Sequence, residues 1–294
     1  MEYCAQIGIV VAIFAMLAIS MDLVAGHTGM VTLAHAGFYG VGAYVSALLT
    51  IHAGCGFLFA SVIAMLSATG LSMVLSALTL RVSEDEFVIA TFAFQMVLSG
   101  VFNSWTTVTN GSLGVRAIPR PTILLWTIDS SGGMFILAGV LLLGECLLIW
   151  KLTVSPFGRV LHLIREDTLL ASALGKNVLY YKVVAFGISA AFAALAGSIF
   201  AHYVTYIDPS SFSVMDSILI LSMVIIGGMG SYTGPIVGAI VLATLPEVLR
   251  FIGLPSSVGA NLRQVIYGSL MVIVIVFRPK GLTGRFSFGR RSEI

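Results

Sequence analysis

Charge is scarce in this chain. Only 10% of its 294 residues are Asp, Glu, Lys or Arg, against about 25% in an ordinary soluble domain. So little polar surface cannot cover a globule in water. Cysteine is nearly absent too: Cys4, Cys55 and Cys146 show no CxxC spacing and no His/Cys cluster. That argues against a metal site or a disulfide framework, although a single Cys4–Cys55 bridge stays open. No GxxxxGK[ST] occurs anywhere, and the glycine-rich "GGMGSYTGP" (227–235) lacks the Lys-Ser/Thr that completes a phosphate loop. The chain is therefore expected to bind no ATP and to hold no cofactor or metal. Residues 1–25 carry no basic leader and no small-residue cleavage site, so they read as a first span.

What is present is hydrocarbon. Hydrophobic residues make up 58% of the chain and its mean hydropathy is +1.04. The apolar runs are long, continuous and rich in Leu, Ile, Ala and Val. A membrane barrel would show short alternating strands of roughly 10 residues instead. The expectation is an all-α, polytopic membrane bundle forming one domain over 1–294. Nine spans are placed near 4–25, 30–52, 56–80, 87–105, 133–152, 180–203, 214–230, 234–251 and 260–277.

The basic residues orient the bundle. Lys151, Arg159, Arg165, Lys176 and Lys182 form one cluster, and Arg278, Lys280, Arg285, Arg290 and Arg291 form another. Basic loops stay in the cytoplasm, so both clusters belong inside. Four expected spans lie between them, which is even, as two inside ends require. Five precede the first, so the N-terminus belongs outside. Arg116 and Arg120 on the outer loop run mildly against this map.

The longest polar interruption is the loop 153–180, which runs into Lys182. Ser155 can cap a helix and Pro156 suits its first turn. Val160, Leu163, Ile164, Leu170, Ala171 and Leu174 recur at helical spacing, opposite Arg159, His162, Arg165, Glu166, Ser172 and Lys176. Gly175 reads as the stop. One amphipathic helix of about five turns is expected. It either lies on anionic lipid or docks into a partner's groove; the small residues Ala171, Ala173 and Gly175 suit close approach to a protein.

The stretch "GHTGMVTLAHAGFYGVGAY" (26–44) is unusual for a span, with Gly26, Gly29, Gly37, Gly40 and Gly42 among its residues. Small residues let helices pack closely in lipid. The alternative is a discontinuous helix lining a path for an anionic group. Asp22, Gly29, His35, Gly37 and Gly40 are the candidate pathway residues. Asp22 can pair with His27 or His35, and His35 can equally make a structural hydrogen bond inside the bundle. Glu145 interrupts the fifth span, where it would face a partner subunit.

"FGRVLHLIREDTLLASALGKNVLYYK" (157–182) resembles the cytoplasmic loop of bacterial ABC-importer permeases. Together with residues 26–44, "SFSVMDSILILSMVIIGGMGSYTGPIVGA" (211–239) and "FRPKGLTG" (277–284), it resembles the permease subunits of high-affinity branched-chain amino-acid importers. The resemblance implies that the loop helix couples to a separate ATPase, with Arg159, Arg165, Glu166, Ala171 and Gly175 at the contact. It implies a second permease, two ATP- and Mg-binding cytoplasmic subunits, and a periplasmic or lipid-anchored binding protein. The setting is the bacterial inner membrane, with membrane lipid around the bundle and no nucleic acid. Leucine, isoleucine or valine is the implied cargo, with urea and short amides as alternatives. Departures occur at Glu84–Glu86, where Arg or Gly followed by aromatics is usual, at Asp22, where Asn is usual, and in the outer loop 108–121, which keeps only part of the Gly-rich pattern.

Two other classes compete. Ser198 and His202 share a helix face and would serve an intramembrane serine hydrolase, but no third group or oxyanion-hole pattern accompanies them. A secondary transporter would not need the cytoplasmic helix.

Overall fold

The computed structural model describes residues 2–79, 84–123 and 126–251, with 265–266, 268–269, 272 and 282–283. The chain runs α1 (Glu2–Thr28), α2 (His35–Ala53), α3 (Phe57–Thr79), α4 (Glu84–Ser104) and the short α5 (Thr106–Thr109). A two-residue hairpin follows, β1 (Thr122–Ile123) with β2 (Trp126–Thr127). Then come α6 (Ser131–Val154), α7 (Pro156–Glu166), α8 (Thr168–Ala173), α9 (Val178–Val204), α10 (Val214–Gly227) and α11 (Gly234–Phe251). Six of these helices are long and apolar enough to cross a membrane: α1, α2, α3, α4, α6 and α9. The all-α polytopic bundle expected from composition is the architecture.

Polar residues punctuate the apolar runs. Ser130 caps α6 by accepting from Gly133 N, and Asn177 caps α9 by accepting from Tyr180 N. Ser213 and Asp216 form a capping box at the start of α10. Each cap satisfies N–H groups that have no partner within their own helix.

At the centre stand α1 and α9, whose apolar windows are 72% and 67% buried, against 28% for α4 and α6. What brings backbones together there is the absence of side chains. A Cβ on Gly42 of α2 would overlap the backbone of Ala194 in α9, and one on Gly197 would overlap Tyr39 O. Without a hydrophobic drive between helices in lipid, such close contact supplies the attraction. Around the seam, Phe38 packs on Phe186 with ring centroids 5.5 Å apart.

Four expectations need correction. The second span does not begin at residue 30. Residues 29–34 are not helical, and α2 starts at His35. The seventh, 214–230, is not a full span. α10 has 14 residues, about 21 Å at 1.5 Å per residue, short of a hydrocarbon core of roughly 30 Å. The loop 153–180 is not one helix of five turns. It breaks at Asp167, whose extended backbone ends α7 and whose carboxylate accepts from Leu169 N and Leu170 N to start α8. Finally, Glu145 does not face outward: it is buried, and neither carboxylate oxygen has a hydrogen-bond partner among the described residues. Of the ninth expected span, 260–277, only isolated positions are described, and the basic cluster from Arg278 to Arg291 lies outside the described residues, as do residues 80–83. All three cysteines are free thiols.

Candidate functional site

Two joints bring the chemistry-bearing residues together. The first lies where α7 meets the end of α1. Leu161 and Ile164 of α7 are buried, and Leu161 shares a small cluster with Leu23 of α1 and Ala185 of α9. Arg165 reaches past this seam, and its Nη1 donates to Gly26 O. Gly29 sits beneath it with φ +79°, and a Cβ there would come within 3.3 Å of Arg165 Cγ. The left-handed backbone favours glycine, and a side chain there would press on the arginine stem.

Asp22 lies one turn deeper. Its Oδ1 accepts from Gly230 N at 2.8 Å, in the tight turn between α10 and α11. Its Oδ2 stands 3.5 Å from His27 Nδ1. His27 in turn lies 5.0 Å from the ring of His162 on α7 and 6.3 Å from that of Tyr232. Burial holds His162 below its ordinary imidazole range, with Arg165 adding to the effect. Burial likewise lowers Arg165 from its ordinary value. A cavity of about 240 Å³ opens beside the cluster, lined by Ile19, Asp22, His27, Cys146, Ser231 and Tyr232 among others. Thus one carboxylate ties α1 to the α10–α11 turn, and one guanidinium ties α7 to α1. Both ties end on α1.

The second joint lies inside the bundle. His35 Nε2 is 2.9 Å from Ser20 Oγ, eight residues before the end of α1, or about 12 Å along it. The non-helical 29–34 therefore dips inward. Threonine hydroxyls meet two of its N–H groups: Leu33 N donates to Thr91 Oγ1 of α4 at 3.1 Å, and Ala34 N to Thr32 Oγ1 within the segment at 3.2 Å. Irregular backbone survives at membrane depth only with such partners. Ala36 N donates to Ser217 Oγ at 2.9 Å, so the first turns of α2 and α10 meet there. Gln95 of α4 closes the joint: its Nε2 donates to Phe212 O at 2.9 Å. Phe212 is the hub of an aromatic cluster, with Tyr39, Tyr44, Phe102 and Phe200 at centroid distances of 5.1, 5.7, 6.2 and 6.1 Å.

The expected pathway residues therefore divide between the joints. Asp22 and Gly29 belong to the one under Arg165. His35, Gly37 and Gly40 belong to the inner one, where Gly37 faces Gln95 and Leu98, and Gly40 faces Phe102 and Phe212. Of the expected coupling residues, Arg165 is docked, Ala171 is buried, and Arg159, Glu166 and Gly175 are exposed. Gly175 ends the α8 segment with φ +75° and open space around it. Leu169, Leu170 and Leu174 are exposed, Leu169 by 81%. The hydrolase pair dissolves: Ser198 donates to Ala194 O and Gly42 O, while His202 Nδ1 bonds Pro119 O at 2.7 Å. Sequence reading missed Gln95, Phe212, Ser217 and Gly230. Gln95 alone gave a signal, as an amide inside an otherwise apolar span.

A bundle with two helices starting inside it and a helical loop docked on its central span defines a multi-pass membrane transport protein. The chain belongs to the family described as "Branched-chain amino acid transport system / permease component", which matches residues 3–275. It is 30% identical to the high-affinity branched-chain amino acid transport system permease protein LivM of Escherichia coli K12, over 92% of this chain and 67% of that protein. It is 26% identical to LivH of the same organism, over 92% of this chain and 91% of LivH. With BraD of Pseudomonas aeruginosa the identity is 24%, over 92% of each. No solved structure matches the chain.

Proposed function

We infer that this chain is the membrane-spanning subunit of an ATP-driven importer that carries branched-chain amino acids inward. The observation that carries the reading is α7–α8: docked on α1 through Arg165 at one end, and presenting Leu169, Leu170 and Leu174 uncovered at the other. In a transport subunit of this family, an exposed leucine ridge beside the exposed Arg159 and Glu166 suits a groove on a cytoplasmic ATPase. LivM, LivH and BraD, whose names specify branched-chain amino acids, supply the cargo.

Two ATPases, each holding its own ATP and Mg, close and push the loop. The push reaches the bundle by two links, Arg165 to Gly26 O and Asp22 to Gly230 N. A second, similar permease completes the pathway, and a periplasmic or lipid-anchored binding protein delivers substrate. This chain holds no nucleotide or metal of its own and contacts no nucleic acid. The site is the bacterial inner membrane, the bundle is surrounded by its lipid, and residues 1–294 form one domain with 153–180 as its coupling loop. The basic residues of the loop support a cytoplasmic α7–α8, an N-terminus outside and a C-terminus inside.

Uptake of labelled leucine and labelled urea, in cells with and without the chain, tests the proposal. The expected result is loss of leucine uptake that depends on ATP and not on the proton gradient. Loss of urea uptake alone changes the cargo. Dependence on the proton gradient alone overturns the reading in favour of a secondary transporter.

A further inference from the structure

Gln95 is fully buried, yet its Oε1 has no hydrogen-bond partner among the described residues. A buried amide oxygen left bare costs about 1–3 kcal/mol. It points at the first turn of α2: a Cβ on Gly37 would lie 2.7 Å from it. Ala34 at the N-cap position of that helix makes no side-chain hydrogen bond, and Ser217 Oγ accepts from Ala36 N instead. Tyr44 Oη, in the neighbouring ring cluster, is also buried and unpartnered among the described residues.

We propose that the joint between the first turn of α2, Gln95 and Phe212 is where an apolar α-amino acid is recognised in transit. The inference rests on the reading of the chain as an amino-acid permease. Its chemistry follows from the groups present. An α-amino acid carries an ammonium, a carboxylate and a side chain. Gln95 now spends its Nε2 on Phe212 O. When the two part, Phe212 O and Gln95 Oε1 become a pair of acceptors for the ammonium. Gln95 Nε2 and the positive end of α2 then face the carboxylate. Around Phe212 the rings of Tyr39, Tyr44, Phe102 and Phe200 take an aliphatic side chain. Gly37 and Gly40 let α4 and Phe212 lie directly against α2, because any side chain on them would meet Gln95, Leu98, Phe102 or Phe212. Urea can hydrogen-bond to the same amide, but it has neither charged ends for the helix terminus nor hydrocarbon for the rings. Gln95 is the specificity-determining residue, exchanging an internal partner for the substrate.

The test uses the whole complex in proteoliposomes, with its partner permease, ATPases and binding protein. A diazirine analogue of leucine is trapped during turnover and photolysed, and its adducts are mapped. Adducts on Tyr44, Phe102 or Phe212, suppressed by excess leucine, are the expected result. Adducts only elsewhere in the complex overturn the proposal. Gln95→Leu is expected to lower leucine uptake at sub-saturating substrate by at least about tenfold, the scale of one hydrogen bond to a charged group. The Gln95→Leu complex should assemble in the wild-type amount, and saturating leucine should recover part of its uptake. If uptake stays equally low at saturating leucine, Gln95 is structural and the proposal fails. Should Gln95→Leu not assemble, the wild-type adduct map decides alone. Absence of ATP-dependent leucine uptake by the wild-type complex sinks the permease reading itself, which is a separate outcome.

Discussion

The seam between α2 and α9 and the ridge on α8 treat side chains in opposite ways. At the seam, glycine and alanine are buried: Gly42 lies against Ala194, and Gly197 against Tyr39 O. On α8 and just after it, leucines are exposed at 169, 170 and 174. Lipid gives no reward for hiding a leucine, so helices there are held by backbone contact. Water does give that reward, about 25 cal/mol per Å² of apolar surface covered. An uncovered leucine ridge is thus stable in hydrocarbon and costly in water. The seam is complete within this chain, whereas the ridge lacks its cover.

Substitutions at both places break or sharpen that contrast. The largest effect belongs to the seam. Gly42→Leu drives a side chain into the Ala194 backbone and is expected to cost about 3 kcal/mol or more. The measurement is the fraction of chain recovered folded in detergent, and near-normal recovery would mean the helices are held by something else. Next comes the ridge. Leu169→Asp with Leu170→Asp should leave that folded fraction unchanged while weakening ATPase association by about 2–4 kcal/mol, the range of a hot spot. Co-purification with the ATPase reads this directly. A loss of folding instead would show that the leucines pack within the chain.

Arg165→Ala lies between the two regions. It removes the tie to Gly26 O but leaves the leucine ridge. ATPase association should persist while uptake per ATP hydrolysed falls by roughly tenfold, since a charge-assisted link is worth about 1.5–3 kcal/mol. Arg165→Lys is expected to recover only part, because one ammonium does not replace the fork. Asp22→Asn should have the smallest effect, within about 1 kcal/mol in thermal stability, because the amide oxygen can still accept from Gly230 N. Asp22→Ala, which leaves that N–H bare, should cost more.

Much of this was legible in the residues. Continuous apolar runs announced a helical membrane bundle, and the caps at Ser155, Pro156 and Gly175 were local signals that the structure keeps. The break at Asp167 was also local, an Asp before Thr168 in a cap position, yet the apolar periodicity ran across it and hid it. What could not be read depends on partners far along the chain. The start of α2 is set by Thr91 and Ser217, 58 residues from Leu33 and 181 from Ala36. Asp22 finds its partner 208 residues away at Gly230. Spacing predicts which face a side chain takes. It does not predict which distant helix fills the space opposite. Gln95 stood in plain view as a polar residue in an apolar span, but its partner Phe212 is placed only by the fold.

The hydrogen bond from Ala36 to Ser217 also sets a schedule. The two residues are made 181 positions apart, roughly ten seconds or more of synthesis at 5–20 residues per second. Throughout that interval the head of α2 is already in the membrane with no Ser217 to receive its N–H. The newborn chain must wait with this joint open, its backbone served by water or by the insertion machinery. Assembly of the inner joint is therefore a late event, and a chain cut short before α10 would be left with an unfinished second helix.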